Sequence, residues 1–182
     1  MALCDFLLGA NIDTNCTGYV KGAKPNGVII NRADINMASV TFDDDYDQPF
    51  LVDALPLKGG KVAYDIVQSG KTPWSGTQQE LQEGTYINTY TNTVQFVILN
   101  QGSTTAEQVF ALMNGEFVVI MQNNQGDLYQ VYGLETGLHA SAMVRELYSD
   151  DTLSGWLVTM TEENAVKGNI FTTKEIFDTL KG

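Results

Sequence analysis

The stretch Thr85–Leu99, "TYINTYTNTVQFVIL", constrains the fold more than any other. It is dense in β-branched and aromatic side chains, which pack well on a pleated surface and poorly along a helix. Its length predicts two strands or one very long one. Around it the chain repeats the same theme. "VIINRADI", "ASVTF" and "KVAYDIV" read as strands, the last half-buried by its alternation. "EFVVIMQ", a turn at "NNQGD" and "LYQVYG" predict a hairpin. "TGLHASAMVREL" and, after a turn at "SDDTLSG", "WLVTMTEE" add two more strands. "SGKTPWSGTQQELQEG" reads as a long polar loop holding Trp74. A tryptophan there is a local staple or an interface anchor.

Only two segments read as helices. One lies near Thr105–Met113, with Thr104 and Glu107 as a capping box, Ala106, Val109, Phe110 and Met113 on one face, and Asn114-Gly115 as its stop. The other is "TTKEIFDTL", capped by Thr172 with Glu175 three residues on. The expected organisation is one mainly β domain over 1–182. An irregular N-terminal arm (1–27) precedes an antiparallel β-sandwich or barrel (28–171) of roughly seven to nine strands, and a short C-terminal helix (172–182) closes it. An α+β roll is the alternative. At 43% hydrophobic the chain has enough apolar content for a real core. No apolar run is long enough for a transmembrane helix, and the N-terminus lacks the basic residues of a secretory signal. Cys4 and Cys16 are read as buried thiols pinning the arm, with a disulfide as the other option.

Charge excludes one broad class. Twenty-two acids face ten bases, for a net charge of −12. From Thr72 to Val144 there is no Lys or Arg, and Glu80, Glu83, Glu107, Glu116, Asp127 and Glu135 give that segment a net −6. Gripping a nucleic acid takes cations to neutralise phosphates, and this segment has none. Anionic membranes would repel the chain as well.

The sites that would make an enzyme fail one by one. Asp43, Asp45 and Asp47, with Asp44 among them, match the start of a calcium loop. Gln48 and Ala54 stand where that loop needs Gly and Glu, so a solvated turn or a looser cation site remains. His139 is the only histidine and has no carboxylate at an obvious pairing distance in sequence. "GLETG" has Glu135 where a nucleophile elbow has Ser. Glu80 with Glu83, and Glu162 with Glu163, read as solvated charges rather than a glycosidase pair. No cofactor is expected.

Several pieces taken together carry a resemblance: the "C…C" near the start, the "IINRADI" strand, the helix ending "LMNG", "EFVVIMQNNQGDLYQVYGLETGL", and the "GWLVTMT" strand before a short tail. From about Gly27 to Phe171 the chain resembles small virion proteins of tailed phages that infect anaerobic gut-type bacteria. In order of elements it is similar to tail tube proteins. The resemblance implies a non-enzymatic structural protein of the virion, assembled in the host cytoplasm. Six copies would form a ring, rings would stack with one another and with other tail or head-tail proteins, and double-stranded DNA would pass through without specific binding. A ring of six would carry about −72, six times −12. On this reading the lumen acids are drawn from Glu80, Glu83, Glu116, Asp127 and Glu135. Subunit contacts are drawn from Phe6, Leu7 and Leu8, with packing within their own chain as the equal alternative, from Asp43, Asp44, Asp45 and Asp47 facing Lys58, Lys61 or Lys71 of a neighbour, with the channel as their other place, and from Trp74. Two alternatives stand beside it. One is another virion component, such as a tail terminator, head-completion or capsid-decoration protein. The other is a monomeric cation- or carbohydrate-binding β-sandwich with Trp74, Tyr86 or Tyr90 as a sugar platform.

Overall fold

The computed structural model describes residues 23–43, 50–68, 74, 76–99, 102–123, 129–146 and 155–181. Cys4, Phe6, Leu7, Leu8, Cys16, Asp44, Asp45, Asp47, Lys71 and Asp127 lie outside them, as do residues 124–128 and 147–154, on which most of the two turns expected from the sequence fall. The protein is mainly β, in two sheets. The larger has seven strands: β1 (Ala23–Asn31), β2 (Thr41–Phe42), β3 (Leu51–Ala54), β4 (Tyr64–Val67), β7 (Phe117–Asn123), β8 (Tyr129–Tyr132) and β11 (Ile170–Thr172), in the order β2-β3-β11-β8-β7-β1-β4. The smaller has four: β5 (Gln78–Gln82), β6 (Thr89–Ile98), β9 (His139–Glu146) and β10 (Gly155–Ala165), in the order β5-β6-β10-β9. Pairing is antiparallel except where β11 runs parallel to β3.

The seven-stranded sheet is buried on both faces, which explains why β7 reads "FVVIM" without alternation. Its odd and even side chains enter two different cores. Val28, Ile30, Val118 and Ile120 join Tyr129, Ile35 and Val52 under the C-terminal helix α2 (Lys174–Lys181), which contributes Phe177 and Leu180. Ile29, Val119 and Met121 face the other way and meet Val94, Phe96, Val158 and Met160 of the smaller sheet. The result is a sandwich of two sheets with α2 on the outer face of the larger one. The second helix, α1 (Ser103–Asn114), adds Leu112 to the inter-sheet core.

Several expectations change. β1 begins at Ala23, so residues 23–27 are strand rather than arm. "RADI" and "MAS" form single 3₁₀ turns, leaving β2 only two residues. "KVAYDIV" yields a four-residue strand, mostly exposed, at the edge of the sheet among the described residues. The polar "QQELQ" is strand β5. "TYINTYTNTVQFVIL" gives a single long strand. Among the described residues the strands number eleven, because β3, β5 and β11, short or polar, look like loop in sequence. Gly102 caps α1, and its buried residues are Thr105, Val109 and Leu112 while Phe110 and Met113 stand exposed. Thr173, not Thr172, caps α2: its hydroxyl accepts from the Ile176 N–H at 3.4 Å. Thr172 is the last residue of β11, and its hydroxyl donates to the Val52 carbonyl.

Trp74 lies inside the fold. Its indole N–H donates to the Lys24 carbonyl at 3.0 Å, and its ring meets Phe96 edge-on. The ring lies over Gly27, where an added Cβ would come within 2.6 Å of it. Gly27→Ala is therefore expected to push Trp74 off this seat and destabilise the fold by about 1–3 kcal/mol, the usual range for overpacking. A thermal melt checks it, and an unchanged midpoint would mean that the contact is soft.

Candidate functional site

The side of the four-stranded sheet turned away from the core is a continuous face of largely uncharged side chains. Register places its residues in rows that cross the strands. Gln78 of β5 pairs with Thr93 of β6, Thr93 with Thr161 of β10, and Thr161 with His139 of β9. The next row is Gln95, Thr159 and Ala142, and the one beyond it Val97, Leu157 and Val144. On the other side of the first row, Glu80 pairs with Thr91. The alternate residues Asn92, Val94, Phe96, Val158, Met160 and Glu162 are buried. Hydrogen bonds tie the outer face together: the Gln95 amide donates to the Thr159 hydroxyl at 3.1 Å, and Gln78 to Glu80 at 3.2 Å.

No Lys or Arg projects from these rows. Arg145, on β9, falls at the register of Trp156 and lays its guanidinium over that ring, 5.5 Å from the centroid. Lys167, after β10, sits 3.2 Å from the centre of the Phe42 ring, and burial there lowers its pKa. Among the described residues, both lateral strands of this sheet, β5 and β9, have one side unpaired. An unpaired edge of this kind is a template for another strand.

A second constellation holds the two sheets in register. Glu162, only 2% exposed, accepts four hydrogen bonds. One carboxylate oxygen takes the Gly133 N–H and the Asn92 side-chain amide, both at 2.8 Å. The other takes the N–H groups of Glu135 and Thr136, each at 3.1 Å. Asn92 is fixed in turn, its carbonyl oxygen accepting from Gln79 at 2.6 Å. The turn "GLETG" thus folds its backbone around a carboxylate of the opposite sheet. Gly133 (φ 84°) is needed there: a Cβ would fall 2.4 Å from the Phe117 carbonyl oxygen. Glu162 therefore corrects the expectation of a solvated charge. Its place was legible, because it continues the buried alternation of Val158 and Met160, as Asn92 precedes that of Val94 and Phe96.

The other candidates fall in separate places. Glu80 is on the outer face described above, and Glu83 is exposed just beyond β5. Glu116 pairs with Arg32 at 3.4 Å. Glu135 is half-buried, its carboxylate accepting from the Lys167 N–H at 2.9 Å and its carbonyl from Arg32 at 2.7 Å. Both belong to the turn region around Arg32 rather than to the outer face. Asp43 stands at the end of β2, its N–H donating to the Leu51 carbonyl. His139 and Tyr86 are exposed, and Tyr90 is half-buried. Lys58 donates to the Ala33 carbonyl at 2.6 Å, and Lys61 pairs with Asp34 at 3.1 Å. Among the described residues there is no cluster of three or more His, Cys, Asp or Glu side chains able to hold a metal, and no helix long and apolar enough to cross a membrane. Compared with known proteins, the chain matches no family model, no curated protein and no solved structure.

Asp34 provides a pH handle. The Asn31 amide, 2.8 Å away, and then Lys61 hold its carboxyl below its ordinary value of 3.8. A carboxylate depressed in the folded state contributes stability above its unfolded pKa, and that contribution is lost as pH falls through the folded value. Asp34→Asn is expected to flatten the acid limb of stability against pH below about pH 4, the ordinary Asp range. Urea melts between pH 2 and 6 would show it, and an unchanged slope would remove Asp34 from the account.

Proposed function

We propose that this protein is a structural subunit of a phage virion, and specifically a tail tube subunit. The supporting observation is the outer face of the four-stranded sheet: Thr, Gln, Ala, Val, Leu157 and His139, with Glu80 as the acid of these rows and no Lys or Arg in them. Joining the free edge of β9 in one copy to the free edge of β5 in the next would turn these sheets into a closed barrel with that face inside. Closure removes both exposed edges at once. The ring number, six, comes from the resemblance of the sequence to tail tube proteins. A neutral to acidic lining gives DNA no phosphate contacts, so a duplex slides rather than sticks. Glu80 is the lining acid on this reading, with Glu83 at the rim. Glu116, Glu135 and Trp74 leave the functional list, because each is engaged within the subunit.

The test is the assembly state. Negative-stain microscopy of concentrated protein is expected to show rings or tubes with a central hole. A particle that remains a monomer at every concentration would overturn the proposal.

A further inference from the structure

An apolar groove of about 700 Å³ opens between the outer edge of β4, the end of β6 and the flank of α1. Its walls include Tyr64, Val67, Leu99, Ala111 and Leu112. Val67 is 68% exposed, Tyr64 55% and Leu99 46%. On the β4 side the strand has no neighbour among the described residues. At the β6 side the Gln68 amide imitates one: it accepts from the Val97 N–H at 2.8 Å and donates to the Val97 carbonyl at 3.1 Å. A groove of this size takes a ligand of several side chains. An open strand edge beside apolar pockets suits an added strand.

We propose that the groove seats the chain's own segment Phe6-Leu7-Leu8. Of the stretches outside the described residues, only 1–22 carries three consecutive large apolar side chains. It joins the fold at the right place. β1 starts at Ala23, and the Pro25 carbonyl accepts from the N–H of Gln68, the residue that bridges the groove. Residues 9–22 span up to roughly 46 Å when extended, at about 3.3 Å each, enough to return along the groove. A tether this short gives the segment an effective concentration in the mM range, roughly, above that of a second copy in dilute solution. A strand laid beside β4 turns alternate side chains the same way, so Phe6 and Leu8 enter the groove and Leu7 faces out.

The experiment uses the full chain at micromolar concentration, unassembled, so that its failure leaves the ring proposal untouched. A photoreactive benzoylphenylalanine replaces Phe6 in an equal mixture of isotopically heavy and light chains. Cross-links to 64–68 or 107–112 within one isotopic species are expected. Mixed-isotope cross-links to the groove would give the site to a second copy and overturn the proposal, as would cross-links elsewhere. Amide exchange at Tyr64–Val67 then separates the faces: Leu8→Asp is expected to speed it by about tenfold or more, and Leu7→Asp to leave it unchanged. Ala111→Arg, at an exposed helix position on the groove wall, should reproduce Leu8→Asp without touching the segment. An equal response of the Leu7 and Leu8 variants, or none to Ala111→Arg, would sink the assignment.

Discussion

Replacing Glu162 with alanine is expected to lower the melting temperature by about 10 °C or more, taking roughly 2–4 °C per kcal/mol for a chain of this size. The carboxylate is the sole acceptor assigned to the Gly133, Glu135 and Thr136 N–H groups in this site and to one amide hydrogen of Asn92. Removing it orphans four buried or half-buried donors. At about 1 kcal/mol or more each, that is about 4 kcal/mol from a total stability on the order of 5–15 kcal/mol. Glu162→Gln is the sharper variant. Its oxygen can keep the Glu135 and Thr136 N–H groups, but its amide then points a donor at Gly133 and Asn92. Asn92 cannot simply flip to answer it, because its carbonyl oxygen already serves Gln79. We expect a loss of about 2–3 kcal/mol for Glu162→Gln, from two lost charge-assisted bonds partly offset by relaxation. Glu163→Gln, one residue on and exposed, is the control and should melt like the parent. If Glu162→Gln also melts like the parent, the turn is held by its own glycines and not by the carboxylate.

That clamp shows what was readable in the sequence and what was not. Alternation through "WLVTMTEE" places Glu162 on the buried face with Val158 and Met160. Chemical type overrode that signal, because carboxylates are so often solvated. The donors came from a turn about thirty residues back, which no local pattern can bring near. Helix α1 lies where it was expected, but of its expected face only Val109 is buried. Thr105, Val109 and Leu112 follow the same spacing as Ala106, Phe110 and Met113, one residue apart around the helix. Periodicity alone cannot choose between two adjacent stripes, and tertiary packing chose the one containing Thr105. The hairpin of β7 and β8 was legible because its strands are long and apolar. β5 was not, because a polar edge strand with one face in solvent has the composition of a loop. The absence of cations over Thr72–Val144 was plain in the sequence. That β5, β6 and most of β9 from this segment join β10 in one sheet, with an outer face whose rows carry no Lys or Arg, needed the register.

If the proposed tube closes with that face inside, placing lysines on it should convert an indifferent channel into a DNA trap. Thr93 and Ala142 point outward from β6 and β9, two strands apart, and neither gives up an assigned side-chain hydrogen bond when substituted. The double variant Thr93→Lys, Ala142→Lys changes the net charge of the chain from −12 to −10, so its solubility should hold. In a ring of six it adds about twelve cations facing inward, and stacked rings multiply the number. Six to ten phosphate contacts already make binding fall by about 10³–10⁵ between 50 and 200 mM salt, so retention should be strong at the lower salt and weak at the higher. The measurement is cosedimentation of assembled tubes with a short linear duplex. Parent tubes should leave the duplex in the supernatant at both salts. The control is Asp178→Lys on the exposed side of α2, outside the larger sheet; its lysine side chains, one per copy, carry the same change in net charge per chain. Because those side chains face away from the four-stranded sheet, the control tubes should release the duplex as the parent does. Equal retention by the control and the inward-facing variant would place the four-stranded sheet outside the channel. Strong retention by the parent would remove the electrostatic reason for a lining without cations.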